Sequence, residues 1–107
     1  MAYVDYTYYI SEYMLGKTPA VAEKEFPYWE KQARTVVDQF TFGRVAADPA
    51  LLIDAVKDCC CELAELLYQA DQIALSQSVY TESGRQNKVR EIIYRYLAHT
   101  GLLYAGV

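Results

Sequence analysis

The chain has 107 residues and a mass of 12.2 kDa; it is 53% hydrophobic and 22% charged, with a net charge of −4. This composition excludes a disordered chain and argues for one domain, residues 1–107, that buries about 65% of its unfolded surface without metal or disulfide staples. No apolar run approaches the roughly 20 residues of a membrane span, the start lacks the basic and apolar regions of a signal peptide, and the acidic balance weighs against a dedicated nucleic-acid binder.

In chain order, residues 1–16, "MAYVDYTYYISEYMLG", form an aromatic segment with five tyrosines in its first thirteen positions. The pattern predicts a short helix or helical turn over Asp5–Leu15, stopped by Gly16. From Phe26 the apolar positions Phe26, Trp29, Ala33, Val36, Val37 and Phe40 fall on one stripe at 100° per residue, with Glu30, Lys31, Arg34 and Asp38 outside it. Pro27 fits only a first turn, so this helix should begin near Glu23–Glu25 and end before Gly43.

Asp48-Pro49 reads as an N-cap and a first helical residue, opening a second helix that runs to Ser76. Its expected core face includes Leu52, Val56, Cys59, Leu63 and Leu67. A third helix starts at Ser83-Gly84-Arg85-Gln86, where the Ser and Gln spacing suits a capping box. Val89, Ile93 and Leu97 lie on its inner face, and Gly101 ends it. The expected architecture is all-α: a compact bundle of three main helices, a short N-terminal helix or turn, and an extended apolar C-terminal tail.

The residue types that could carry chemistry do not converge. Cys59, Cys60 and Cys61 are consecutive, so on a helix they diverge by about 100° each and cannot share a zinc ion. Cys59 should be core, Cys60 on its flank and Cys61 on the outer face, where Ala64 and Tyr68 on the same side hint at a covered surface. The sole histidine, His99, sits at a helix end with no acid nearby in sequence, where a capping role is the plain reading. The pairs Asp54/Asp58, Asp58/Glu62 and Glu62/Glu65 occupy the outer face of the long helix, with no apolar wall to raise a carboxyl pKa. The five glycines are scattered and form no phosphate loop. No catalytic, metal or cofactor site is expected.

Charge is unevenly distributed. Residues 1–82 carry six basic and thirteen acidic side chains, whereas residues 83–107 carry Arg85, Lys88, Arg90 and Arg95 against Glu91 alone. Arg85, Lys88 and Arg95 share one side of the third helix. That side can be a solvated face, a basic rim toward nucleic acid, or a subunit–subunit contact with an acidic neighbour. The short connection Gln77–Glu82 lacks a helix-turn-helix turn.

The chain ends "GLLYAGV". Left in water, these residues would expose a sticky patch. They either fold back on their own core or dock onto another protein, and docking through Leu102, Leu103, Tyr104 and Val107 is the expectation.

The combination of "DYTYYISEY", "FTFGRV" and the terminal "YRYLAHTGLLYAGV" resembles the head–tail connector, or adaptor, proteins of tailed phages, over most of the chain and in order. The connection at 77–82 is shorter than the Gly/Ser/Tyr-containing loop common in that family. The resemblance implies a structural virion protein at the head–tail interface, present in the host cytoplasm before assembly. It implies a self-associated ring matching the portal's twelvefold symmetry, bound to the portal on one side and to a stopper or tail-completion protein on the other. DNA would pass through that ring unread. It also implies portal docking by residues 102–107, no enzymatic activity and no membrane partner. The alternatives are a helical protein-interaction module outside any virion, or a small nucleic-acid-binding regulator.

Overall fold

The computed structural model describes residues 2–76, 82–100 and 102–103, excepting the side chains of 73–76, 82–86 and 99. The described residues are mostly helical and contain no strand. The fold is an all-α bundle. Helix α1, Tyr6–Tyr8, continues into a π-helical stretch, Tyr9–Tyr13; α2 is Phe26–Phe40, α3 Arg44–Ala47, α4 Asp54–Ser76 and α5 Glu82–Leu97. Single 3₁₀ turns lie at Pro49–Leu51 and Ala98–Thr100.

Helix α4 is the central element: it packs against α2 on one side and α5 on another, and the π-helical stretch lies on it as well. The Cys59, Cys60 and Cys61 side chains show how fully it is enclosed. Consecutive helical side chains point about 100° apart, yet all three are completely buried, so at least 200° of the helix circumference is covered. Cys61 is therefore not on an outer face. The N-terminal segment covers that side, and Cys61 lies within electrostatic reach of Tyr8 and Tyr13.

Helix α2 begins one residue after the expected window, with Pro27 in its first turn. It ends in a turn that the sequence misplaces by one residue. The Gly43 amide bonds the Asp38 carbonyl at 2.9 Å, the six-to-one closure of a Schellman motif, and this makes Phe42 the first left-handed residue at φ 57°. Gly43 follows at φ 73°. The buried Thr41 hydroxyl donates back to the Val37 carbonyl at 2.9 Å, sealing the helix end.

Asp48 does cap, accepting the Ala50 amide at 3.1 Å, but it caps only the Pro49–Leu51 turn. Leu52 then leaves the helical region at ψ 68°, and the long helix starts at Asp54. The predicted helix from Pro49 is thus a 3₁₀ turn, a break and a 23-residue helix. Helix α5 starts at Glu82, so Ser83 is its second residue rather than the cap.

Phe26, Val37, Val56, Cys59, Leu63, Val89, Ile93 and Leu97 are buried as expected. Trp29, Val36, Phe40, Leu52 and Leu67 pack against the core from its rim and keep some exposure. The pattern did not reveal Tyr3, Val4, Tyr9 and Val21, which bring the N-terminal segment and its connection into the core.

Candidate functional site

Both chain ends are rich in apolar and aromatic residues, and the structure treats them differently. At the N-terminus, Asp5 caps α1 through the Tyr8 amide at 2.8 Å, and the tyrosines that follow face the body. The Tyr9 ring is fully buried, stacked on Phe26 with centroids 4.7 Å apart. Its hydroxyl donates to Glu65 at 2.7 Å and accepts the amides of Ala20 and Val21 at 3.1 and 3.2 Å. Tyr8 donates to Asp58 at 2.8 Å and Tyr13 to Glu62 at 3.4 Å, while Tyr3 donates to Asp38 on α2. Each ring supplies apolar area, and each hydroxyl ends on a carboxylate of the helix beneath.

This arrangement corrects the placement of the acids. Asp58, Glu62 and Glu65 are not on an open outer face; they are the sockets for phenols. Glu30 lies off the apolar stripe of α2 but is only 2% exposed. It accepts the Tyr3 backbone amide at 2.9 Å and pairs with Arg34 at 3.4 Å, so the buried charge is compensated. Burial, reinforced by the neighbouring carboxylates, pushes the phenols of Tyr3, Tyr8, Tyr9 and Tyr13 above the ordinary tyrosine range.

The thiols are similarly suppressed. Burial, followed by the charge of Glu62, pushes Cys59 up to about 12. Cys60, desolvated beside Glu30, and Cys61, desolvated near Asp58, are also driven up. At neutral pH none is a thiolate, the form needed for nucleophilic attack or metal ligation. Among the described residues no group of three or more His, Cys, Asp or Glu side chains is placed to hold a metal ion, and no described helix is long and apolar enough to cross a membrane. The side chain of His99 lies outside the described residues.

On α5, the three basic residues grouped by sequence have different surroundings. Arg95 pairs with Glu62 of α4 and lies over the Tyr96 ring, while Tyr96 donates to the same Glu62 at 2.8 Å. Arg95 is therefore engaged within its own chain while its side chain stays exposed. Lys88 is exposed, and the Arg85 side chain lies outside the described residues. An open groove of about 450 Å³ runs between α4 and α5, floored by Leu66 and Ile92, with Glu65, Lys88 and Glu91 on its walls.

At the C-terminus, Thr100 turns the chain. Its hydroxyl donates to the Leu97 carbonyl at 2.7 Å and accepts the Leu102 amide at 3.2 Å. This turn drops the Leu102 side chain into the core, 6% exposed, and the Arg44 guanidinium donates to the Leu102 carbonyl at 2.8 Å. Leu102, expected among the docking side chains, is thus buried in this fold, where it acts as an anchor. Leu103 is half-buried against the core; Tyr104 and Val107 lie outside the described residues. Two residues before Arg44, Phe42 stands 59% exposed in its left-handed conformation. Comparison with protein-family models, with curated proteins and with solved structures finds no match.

Sequence reasoning missed the pairing of tyrosines with acids. A signal for it existed: Asp58, Cys61, Glu62, Ala64 and Glu65 mix acids with small apolar residues on one face, whereas a fully solvated face has no use for the small apolar residues.

Proposed function

We propose that this chain is a structural assembly protein of the head–tail adaptor kind, a ring subunit that joins a phage portal to the stopper or tail and extends the DNA channel. The observation that carries this reading is the anchored start of the apolar terminus. Arg44 and Thr100 hold the backbone at Leu102, and the buried Leu102 side chain locks it to the bundle just ahead of the remaining apolar residues of the sequence. An end held at a defined place on a rigid body suits a docking peg, because ordering its base in advance lowers the entropy lost on binding. The resemblance in "DYTYYISEY", "FTFGRV" and the terminal segment supplies the class of partner.

Under this reading Leu103, Tyr104 and Val107 enter the portal and Leu102 holds their base. Lys88 remains available for a neighbour's acidic surface, and a charge-assisted contact of that kind would weaken with salt. The sealed thiols and the phenol-bonded carboxylates favour a binding role over a catalytic one.

The test is co-purification with the portal of the same genome, comparing the intact chain with a chain ending at Leu102. That truncation keeps the anchor and removes the peg. Loss of portal binding with an unchanged unfolding midpoint is expected. Equal binding by both forms, or binding by neither, overturns the reading.

A further inference from the structure

The N-terminal segment is bound to the bundle as a separate peptide would be. Its phenols end on α2 and α4, through Asp38, Asp58, Glu62 and Glu65, and its backbone meets Glu30. Among the described residues, the side-chain hydrogen bonds within the segment itself are the Asp5 cap and the Ser11 hydroxyl on the Thr7 carbonyl. Its side chains thus find most of their polar partners on a surface that every copy of the chain carries.

The connection back to that surface is strained. Leu15 and Gly16 are consecutive left-handed residues, at φ 52° and 86°. A Cβ at Gly16 would meet nothing within 4 Å, so the glycine serves the backbone angle alone. Leu15 gains nothing comparable: it is bulky, held in a conformation that L-residues avoid, and 75% exposed. After it Lys17 and Thr18 are exposed, followed by Pro19. Short hinges under strain are the setting in which an element leaves its own chain for the same site on another copy, because the exchange keeps every docking contact and relieves the hinge.

We propose that residues 2–16 form an exchangeable strap whose second binding partner is another copy of this chain, with the strap of one copy seated on α2 and α4 of the next. The adaptor reading is not required for this. Exchange links copies through their existing cores, without any new interface chemistry.

Lys57 on α4 lines the same cavity of about 330 Å³ as Asp5 and Glu12 of the strap, which gives a direct readout. Isotopically light and heavy full-length chains are unfolded, mixed, refolded at high concentration and separated by size with light scattering. Carbodiimide then joins Lys57 to Asp5 or Glu12, and mass spectrometry reports whether the linked peptides are light–heavy pairs. Up to half of the links in oligomeric fractions are expected to be mixed. A chain lacking Lys17 and Thr18, in which the hinge is shortened, should shift toward oligomer. Leu15→Gly, which removes the strain and keeps the length, should lower the mixed fraction several-fold and stays readable if the deletion does not fold. Same-mass links alone in every fraction, or a mixed fraction unchanged in Leu15→Gly, overturns the proposal.

Discussion

The two ends of the chain look alike in sequence, greasy and aromatic, and both invite the idea of an interaction tail. In the fold they differ. The N-terminal end combines rings with hydroxyls and finds a carboxylate for nearly every hydroxyl it buries. Among the described residues, the C-terminal end buries Leu102 in the core, packs Leu103 against its rim and brings the Leu102 backbone carbonyl to Arg44. Tyrosine can line a protein's own interior seam because its polar tip can be satisfied there.

Raising the pH should disturb the N-terminal seam most. The folded chain holds Tyr3, Tyr8, Tyr9, Tyr13 and Tyr96 protonated above their ordinary value of 10.0, and the thiols above 9.0. The unfolded chain therefore releases these protons first. Their stabilising contribution is complete below pH 9, begins to fall there, and is lost as pH rises through the raised folded values. Each proton retained only by the folded state costs about 1.4 kcal/mol per pH unit. Urea midpoints measured from pH 8 to 11 should drop steeply, and ultraviolet titration should show these phenols ionising late and together with unfolding. A flat profile would mean that the seam is not a protonated one.

Next in size is removal of the ring at the centre of that seam. Tyr9→Ala takes away a fully buried aromatic stacked on Phe26 and should cost about 4 kcal/mol by urea unfolding. At the other end, Leu102→Ala should cost about 2 kcal/mol, sensed by the same measurement. A cost near zero would show that the C-terminal anchor contributes nothing and would erase the contrast between peg and base.

The sequence made the all-α bundle legible because α2, α4 and α5 carry apolar stripes at helical spacing and clear stop signals. It was less informative where tertiary structure overrides local preference. Asp48-Pro49 is a correct cap signal attached to a turn, because Leu52 leaves the helical region before α4 begins. Gly43 is a correct terminator displaced by one residue, since the six-to-one bond from its amide puts Phe42 in the left-handed position. Glu30 lies off the apolar stripe yet is buried, and Cys61, where Ala64 and Tyr68 hint at a covered surface, is fully buried; a helical wheel contains no information about which segment from elsewhere in the chain does the covering. The candidate site was half legible: the terminus drew attention by composition, whereas its anchoring through Arg44 joins positions 58 residues apart, and no local pattern encodes that.

The enclosure of α4 has one more consequence. Its three adjacent sulfurs point about 100° apart yet are all fully buried, and Cys60 donates toward the Glu30 carboxylate of α2 at 3.9 Å. One turn of helix is thus enclosed from several directions at once. An element that lifts off this turn, in unfolding or in assembly, is expected to make a thiol reactive that the folded chain conceals, and the reactivity of these sulfurs is a gauge of how far the bundle has opened.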